Sequence, residues 1–203
     1  MLAILVFCIN IFSIQITNSG LEFLNLWLEN NIFQIFFVLL CFLFIINGAN
    51  LIDGYNGLLA IHFLIINFIL LGINFTNQHH DMVLILTFQI IIMSSFLLFN
   101  FPKARIFLGD AGSYLCGSLI AINIIKTHQL NPQTSSFFYT SILFYLFYEV
   151  FFSFIRKFTK KKSPLNPDRF HLHMLLYNFL WPVIETSLQR WRLKKSEQKH
   201  SLN

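Results

Sequence analysis

The chain has 203 residues, of which 56% are hydrophobic and only 11% charged, and its mean hydropathy is +0.64. Soluble globular domains carry about 25% charge, so a soluble domain is excluded and an integral membrane protein is indicated. The net charge of +5 is modest and gathered into a few places, which argues against a nucleic-acid surface.

A bilayer core about 30 Å thick takes roughly 20 apolar residues at about 1.5 Å each. Six runs meet or approach that length: 1–17, 32–51, 58–75, 82–101, 112–126 and 136–156. They predict an all-α, polytopic membrane bundle of about six transmembrane helices joined by polar loops. The first run lacks a basic leading segment and a small-residue cleavage site, so it reads as a membrane helix rather than a secretory leader. The fifth is short and rich in small residues (Gly112, Ser113, Gly117, Ser118, Ala121), which suits close helix packing. Cys8, Cys41 and Cys116 all lie inside apolar runs, without metal-binding spacing, and read as small buried hydrophobes.

The loops alternate in charge. Loops 18–31 and 76–81 contain no Lys or Arg, and 127–135 is adjoined only by Lys126. By contrast, 102–110 holds Lys103 and Arg105, and 156–169 holds Arg156, Lys157, Lys160, Lys161, Lys162 and Arg169. The positive-inside rule makes this second set cytoplasmic and carries the Asn47–Gly57 segment with it. All the unusual polar stretches then share one face. Residues 174–183 are apolar but too short to span and are interrupted by Pro182, and a basic stretch with Trp191 follows. The expected organisation is a membrane-embedded domain over 1–175 and a basic cytoplasmic or interfacial tail over 176–203.

Three polar stretches and one acid carry the chemistry. In the stretch from Asn47 to Gly57, a continuing helix would put Asn47, Asn50 and Asp53 on one face beside Gly54 and Gly57. A glycine-capped helix end with an Asp-Gly turn is an equal reading. In the second stretch, Asp110 lies between Gly109 and Gly112 and follows Lys103 and Arg105. It is either the N-cap of the fifth helix or a carboxylate for a hard divalent cation beside a glycine-opened phosphate site. In the third, Arg169, His171 and His173 are either phosphate or nucleotide contacts or members of a solvated basic loop. Glu149 lies inside an apolar run, where an acid costs about 2.5–3.5 kcal/mol on insertion scales, so it is expected to be paired or functional. His79, His80 and Asp81 fall in a short loop on the opposite face and read as solvated.

Taken in order, these stretches resemble the polyprenyl-phosphate N-acetylhexosamine-1-phosphate transferases, the superfamily that includes phospho-N-acetylmuramoyl-pentapeptide transferase. Asn50-Leu-Ile-Asp53-Gly-Tyr-Asn-Gly57-Leu is similar to that family's Asn-x-x-Asp-Gly-x-x-Gly-Leu motif. Ile106-Phe-Leu-Gly-Asp110-Ala-Gly-Ser113 is similar to its Phe-Met-Gly-Asp-x-Gly-Ser motif, and 163–173 to its Ser-Pro-Phe-x-Pro-Asp-x-x-His-x-His loop. Glu149 falls where members place an acid before a basic helix end. The likeness covers about residues 35–175 with order and spacing intact.

The resemblance implies a Mg²⁺-dependent transfer, with Mn²⁺ an alternative. The phosphate of undecaprenyl phosphate would attack a UDP-N-acetylhexosamine and release UMP, initiating cell-envelope polysaccharide synthesis on the cytoplasmic face of a bacterial inner membrane. By this carry-over Asp110 binds the metal, Asp110 and Asp53 serve catalysis, and Asn50, Asp53, Phe107, Arg169, His171 and His173 bind substrate. The expected partners are UDP-N-acetylhexosamine, undecaprenyl phosphate and the bilayer, with homodimerisation left open and no nucleic acid. The family also carries an Asp-Asp pair in an earlier loop, whereas here no Asp precedes Asp53 and no Asp-Asp occurs. Met174 stands where the family's last His is expected. The chain is therefore expected to be truncated at the N-terminus and at the C-terminus. A catalytically incomplete chain that binds nucleotide sugar or lipid phosphate, or complements a second chain, is the alternative.

Overall fold

The computed structural model describes residues 14–16, 18–159, 175–177 and 179–182. Among these the structure is helical throughout: α1 (Glu22–Leu28), α2 (Asn31–Ile52), α3 (Leu58–Thr76), α4 (His80–Asn100), α5 (Gly109–Leu130), α6 (Ser136–Ile142) and α7 (Phe144–Thr159). Three helices, α2, α3 and α4, are long and apolar enough to cross a bilayer, and α6 with α7, bent by 64° between them, is apolar enough for either a broken span or a re-entrant loop. The chain is a polytopic, all-α membrane protein, as its composition requires. Residues 1–152 form one compact unit, and residues from 153 onward form a second.

Helices α2 to α4 begin and end within about two residues of the predicted apolar runs. Asn30 caps α2 by accepting from the Ile32 and Phe33 amides, whereas α3 and α4 begin without a side-chain cap. The fifth helix is longer than its apolar run. It spans 22 residues rather than 112–126, because Gly109 to Ala111 and Thr127 to Leu130 are also helical. The sixth predicted run is broken at Leu143 into α6 and α7. The first run, 1–17, lies outside the described residues apart from 14–16. In the second unit, residues 175–177 and 179–182 are helical, with Tyr177 stacked on Trp181; the rest of the expected tail lies outside the described residues.

The core lies where α2, α3 and α5 meet, around Phe42, Ile45, Ala49, Phe63, Ile66, Leu70, Ile120 and Ala121. Small residues bring backbones together. A Cβ on Gly117 of α5 would lie 2.8 Å from the Ile46 Cα of α2, and one on Gly48 would lie 2.8 Å from the Leu146 carbonyl oxygen of α7. These are the close approaches that glycines permit between membrane helices.

Polar residues inside the bundle find one another. Asn67 of α3, Gln89 of α4 and Asn123 of α5 form a closed ring of side-chain amides. The Asn123 Nδ2 donates to Gln89 Oε1 at 2.6 Å and to Asn67 Oδ1 at 3.0 Å, while Asn67 Nδ2 donates to Gln89 Oε1 at 3.2 Å. Asn67 and Asn123 are buried. Such interhelical hydrogen bonds contribute about 0.6 kcal/mol each in membranes, and they also avoid leaving an amide unsatisfied in hydrocarbon. Two turns along α3, Asn74 Nδ2 donates to Thr127 Oγ1 of α5 at 2.9 Å. Glu149 is fully buried in α7 and accepts a hydrogen bond from the Tyr145 hydroxyl, in keeping with its expected pairing. The Tyr145 ring in turn meets His62 of α3 edge-on, with centroids 5.6 Å apart. At the opposite end, His80 and Asp81 are exposed, while His79 bonds the Leu130 carbonyl oxygen at 3.1 Å.

Candidate functional site

Two connections lie at the same end of the bundle: the turn 53–57 between α2 and α3, and the loop 101–108 between α4 and α5. Helix α2 ends at Ile52, and Asp53 follows as its C-cap, with φ −74° and ψ 33°. Gly57 then turns the chain into α3 at φ +79°, a left-handed conformation that favours glycine. A Cβ there would also press to 3.1 Å on Leu97 and Phe101, so the position is closed to a side chain on two grounds. Gly109 opens α5 at φ +62°, with open space around its missing Cβ.

Four hydrogen bonds tie these connections together. The Gly57 N–H donates to Asn100 Oδ1, and Asn100 Nδ2 donates to the Ile106 carbonyl at 2.8 Å. Asn56 Nδ2 donates to the Pro102 carbonyl at 3.2 Å. One turn inward, the buried Ser113 hydroxyl donates to Asn50 Oδ1 at 2.8 Å, with the Asp110 carbonyl 3.0 Å away as a second acceptor. Across the 101–108 loop the Arg105 N–H closes onto the Phe99 carbonyl at 2.9 Å.

This framework brings Asp53 and Asp110 within reach of each other's charge. Burial, and then the Asp110 carboxylate beside it, push the Asp53 carboxyl up to about 6. Asp110 itself is exposed at the end of the bundle, as are Lys103, Arg105 and Phe107, which is 74% exposed. The site is therefore an acidic pair, half sunk and half open, on a rim that also carries two cations and an aromatic ring.

Asp110 is not a helix cap. Helix α5 begins at Gly109, its N-cap is Leu108, and no side chain caps it, so the Asp110 carboxylate is free of that task. Asn50, Asp53 and Asp110 lie at one end of the bundle, Asn50 and Asp110 both meeting Ser113. Asn47 does not join them: it is exposed, and its Nδ2 is turned back on the Leu43 carbonyl of its own helix at 2.7 Å. Arg169, His171 and His173 lie outside the described residues. Sequence reasoning missed Asn100, Asn56 and Ser113. The only signal for Asn100 was an amide closing an apolar run just before Pro102.

Among the described residues no three His, Cys, Asp or Glu side chains cluster, so a cation here would find two carboxylates and an open side. That suits Mg²⁺, which keeps several waters and takes one or two protein carboxylates together with substrate phosphates. The mutual repulsion of Asp53 and Asp110 is the kind of field that a cation relieves.

The chain matches the family described as Glycosyl transferase family 4 over residues 1–128, which includes every member of this site among the described residues. It is 32% identical over 142 residues to undecaprenyl-phosphate alpha-N-acetylglucosaminyl 1-phosphate transferase of Thermotoga maritima, covering 70% of this chain and 42% of that protein. It is 32% identical over 120 residues to phospho-N-acetylmuramoyl-pentapeptide-transferase of Streptococcus pyogenes, covering 57% of this chain and 35% of the relative. The enzyme of the same name from Streptococcus agalactiae is 34% identical over 112 residues, 55% of this chain and 33% of the relative. The chain thus spans about two-fifths or less of the length of these relatives. No solved structure matches it.

Proposed function

Because the chain belongs to glycosyl transferase family 4, we propose that it takes part in transfer of an N-acetylhexosamine 1-phosphate from a UDP-sugar to undecaprenyl phosphate at the cytoplasmic face of a bacterial inner membrane, as a first step of cell-envelope polysaccharide synthesis. The observation that carries this reading is the convergence of Asp53 and Asp110 at one end of the bundle. The acceptor class follows from the Thermotoga relative, whose name specifies undecaprenyl phosphate. A phosphate oxygen of the lipid forms a bond to the β-phosphorus of the donor. The bond from that phosphorus to the bridging oxygen breaks, and UMP leaves with the oxygen.

Asp110 and Asp53 would hold Mg²⁺, or Mn²⁺ in its place, and the ion would supply neutralisation of charge on the two phosphates. The protein's own share is positioning. Asn50, fixed by Ser113, keeps the α2 and α5 ends together beneath the acidic pair. Lys103 and Arg105, exposed on the adjoining loop, attract a polyanionic donor. Phe107 offers an exposed ring against which an apolar or planar part of a substrate can lie. Arg169, His171 and His173 are assigned to the diphosphate by their motif alone.

The test is turnover of UDP-N-acetylhexosamine and undecaprenyl phosphate by the detergent-solubilised chain with Mg²⁺. Asp110→Asn is expected to abolish product, and retained turnover in that variant overturns the assignment. A second reading is favoured by one observation: the sequence holds no Asp-Asp pair. On that reading the chain binds nucleotide sugar or lipid phosphate, or completes its site with a second chain. Mg²⁺-dependent transfer by the purified chain alone excludes it.

A further inference from the structure

Four asparagines of this bundle turn their side chains back onto a helix's own backbone. Asn47, Asn74, Asn77 and Asn131 each donate Nδ2 to the carbonyl four residues back in the same helix. Asn100 departs from that habit. It is the last residue of α4 and is buried, yet its Nδ2 reaches forward to the Ile106 carbonyl and its Oδ1 accepts the Gly57 N–H from another connection. One side chain thus holds the end of the Asp53 turn with its acceptor and the loop leading to Asp110 with its donor.

Gly57 has no side chain, and its left-handed backbone and the neighbours Leu97 and Phe101 exclude one. A second tie between the two connections, the longer Asn56 bond to Pro102, is exposed to water.

We propose that Asn100 is the positioning residue that holds the Asp53 turn and the Asp110 loop in register, so that both carboxylates face one cation. The assignment rests on the metal-dependent reading above for the cation, and on geometry alone for the staple. Groups that orient metal-binding side chains typically change metal affinity 10–100-fold when removed, roughly speaking.

The experiment has two arms on the full chain in lipid nanodiscs. Hydrogen exchange reads the staple. Asn100→Leu is expected to speed amide exchange in both 53–58 and 104–110, whereas Asn100→Asp, which keeps the acceptor, preserves protection at Gly57 and releases only 104–110. Binding of Mn²⁺ alone, followed by its electron paramagnetic resonance signal, reads the consequence. Asn100→Leu is expected to weaken it by about tenfold or more, and Asn100→Asp is expected to restore part of that loss. Asn123→Leu, a loss of an equally buried amide in the middle of the bundle, is expected to lower stability and leave Mn²⁺ affinity unchanged.

Unchanged exchange in both segments of Asn100→Leu overturns the staple. Equal weakening of Mn²⁺ by Asn123→Leu also overturns it, because the effect would then be general loosening. If the wild-type chain binds no Mn²⁺ while the exchange pattern holds, the metal reading fails and the staple stands.

Discussion

Gly117→Ala adds one methyl group where α5 crosses α2. The new Cβ would lie 2.8 Å from Ile46 Cα, 3.0 Å from Ala49 Cβ and 3.2 Å from the Ile45 carbonyl oxygen. The nearest of these is backbone, so no rotamer change makes room. Ordinary contact begins near 3.4 Å, so the two helices must part by about 0.6 Å. One turn toward the site, the Ser113–Asn50 hydrogen bond is 2.8 Å long, and the same separation passed on undamped stretches it to about 3.4 Å. That is near the limit for such a bond. Overpacking of this kind costs about 1–3 kcal/mol. The control is Gly72→Ala on α3, where the added methyl meets nothing within 4 Å. A glycine in a helix interior is less stable than alanine by roughly 0.5–1 kcal/mol, so that variant gains by this amount. Gly117→Ala shares that propensity gain, so the two single-methyl variants should differ by the overpacking cost alone, about 1–3 kcal/mol in unfolding free energy, with Gly117→Ala the less stable. Unfolding in mixed micelles by titration with dodecyl sulfate measures this. Equal shifts in both variants refute the close-approach argument.

Other predictions follow from the same geometry. Asn123→Leu leaves the Asn67 and Gln89 amides short of partners in the apolar interior and should cost about 1–3 kcal/mol. Replacing all three amides with Leu should recover most of the loss, and a neutral single variant counts against the ring. Asp53 is held protonated to about pH 6, above its ordinary range, by burial and by Asp110. A raised carboxyl favours the folded state while it stays protonated. In the absence of a cation, that stability is present at acid pH and lost as pH rises through the ordinary carboxylate range to about 6. Cation affinity runs the other way. Mn²⁺ binding should strengthen as pH climbs through about 6, and in Asp110→Asn any residual binding should have its midpoint at lower pH. A pH-independent affinity, measured by the same resonance signal, would show that Asp53 does not face the ion.

Much of the bundle was legible in the sequence because hydropathy dictates where a chain enters and leaves hydrocarbon. The ends of α2, α3 and α4 follow from that. The ends of α5 do not, since His128 and Gln129 read as loop but remain helical and bond outward. His128 meets Ser136 at 3.0 Å, and Gln129 Nε2 donates to the Gln15 carbonyl at 2.8 Å. The break at Leu143 has no local signal: residues 136–156 contain neither Pro nor Gly, the usual marks of a kink. At the site, Asn50, Asp53 and Asp110 were legible because their motifs fix spacing. Spacing by three also suggested Asn47, but helical rotation carries it to the exposed side, where its own backbone is its partner. Asn100 was hidden because its role depends on two loops meeting in space, which no single window of sequence contains.

The amide ring also restricts how this protein can move. Sliding one helix by a single residue shifts a side chain by about 1.5 Å along the axis and turns it by roughly 100°. For Asn67, Gln89 or Asn123 that displacement strands a polar group against hydrocarbon, where neighbours offer nothing in return. Helices α3, α4 and α5 are thus keyed like the wards of a lock, fixed in both height and rotation. Any relative motion is left to the connections at their ends, where Asp53 and Asp110 sit.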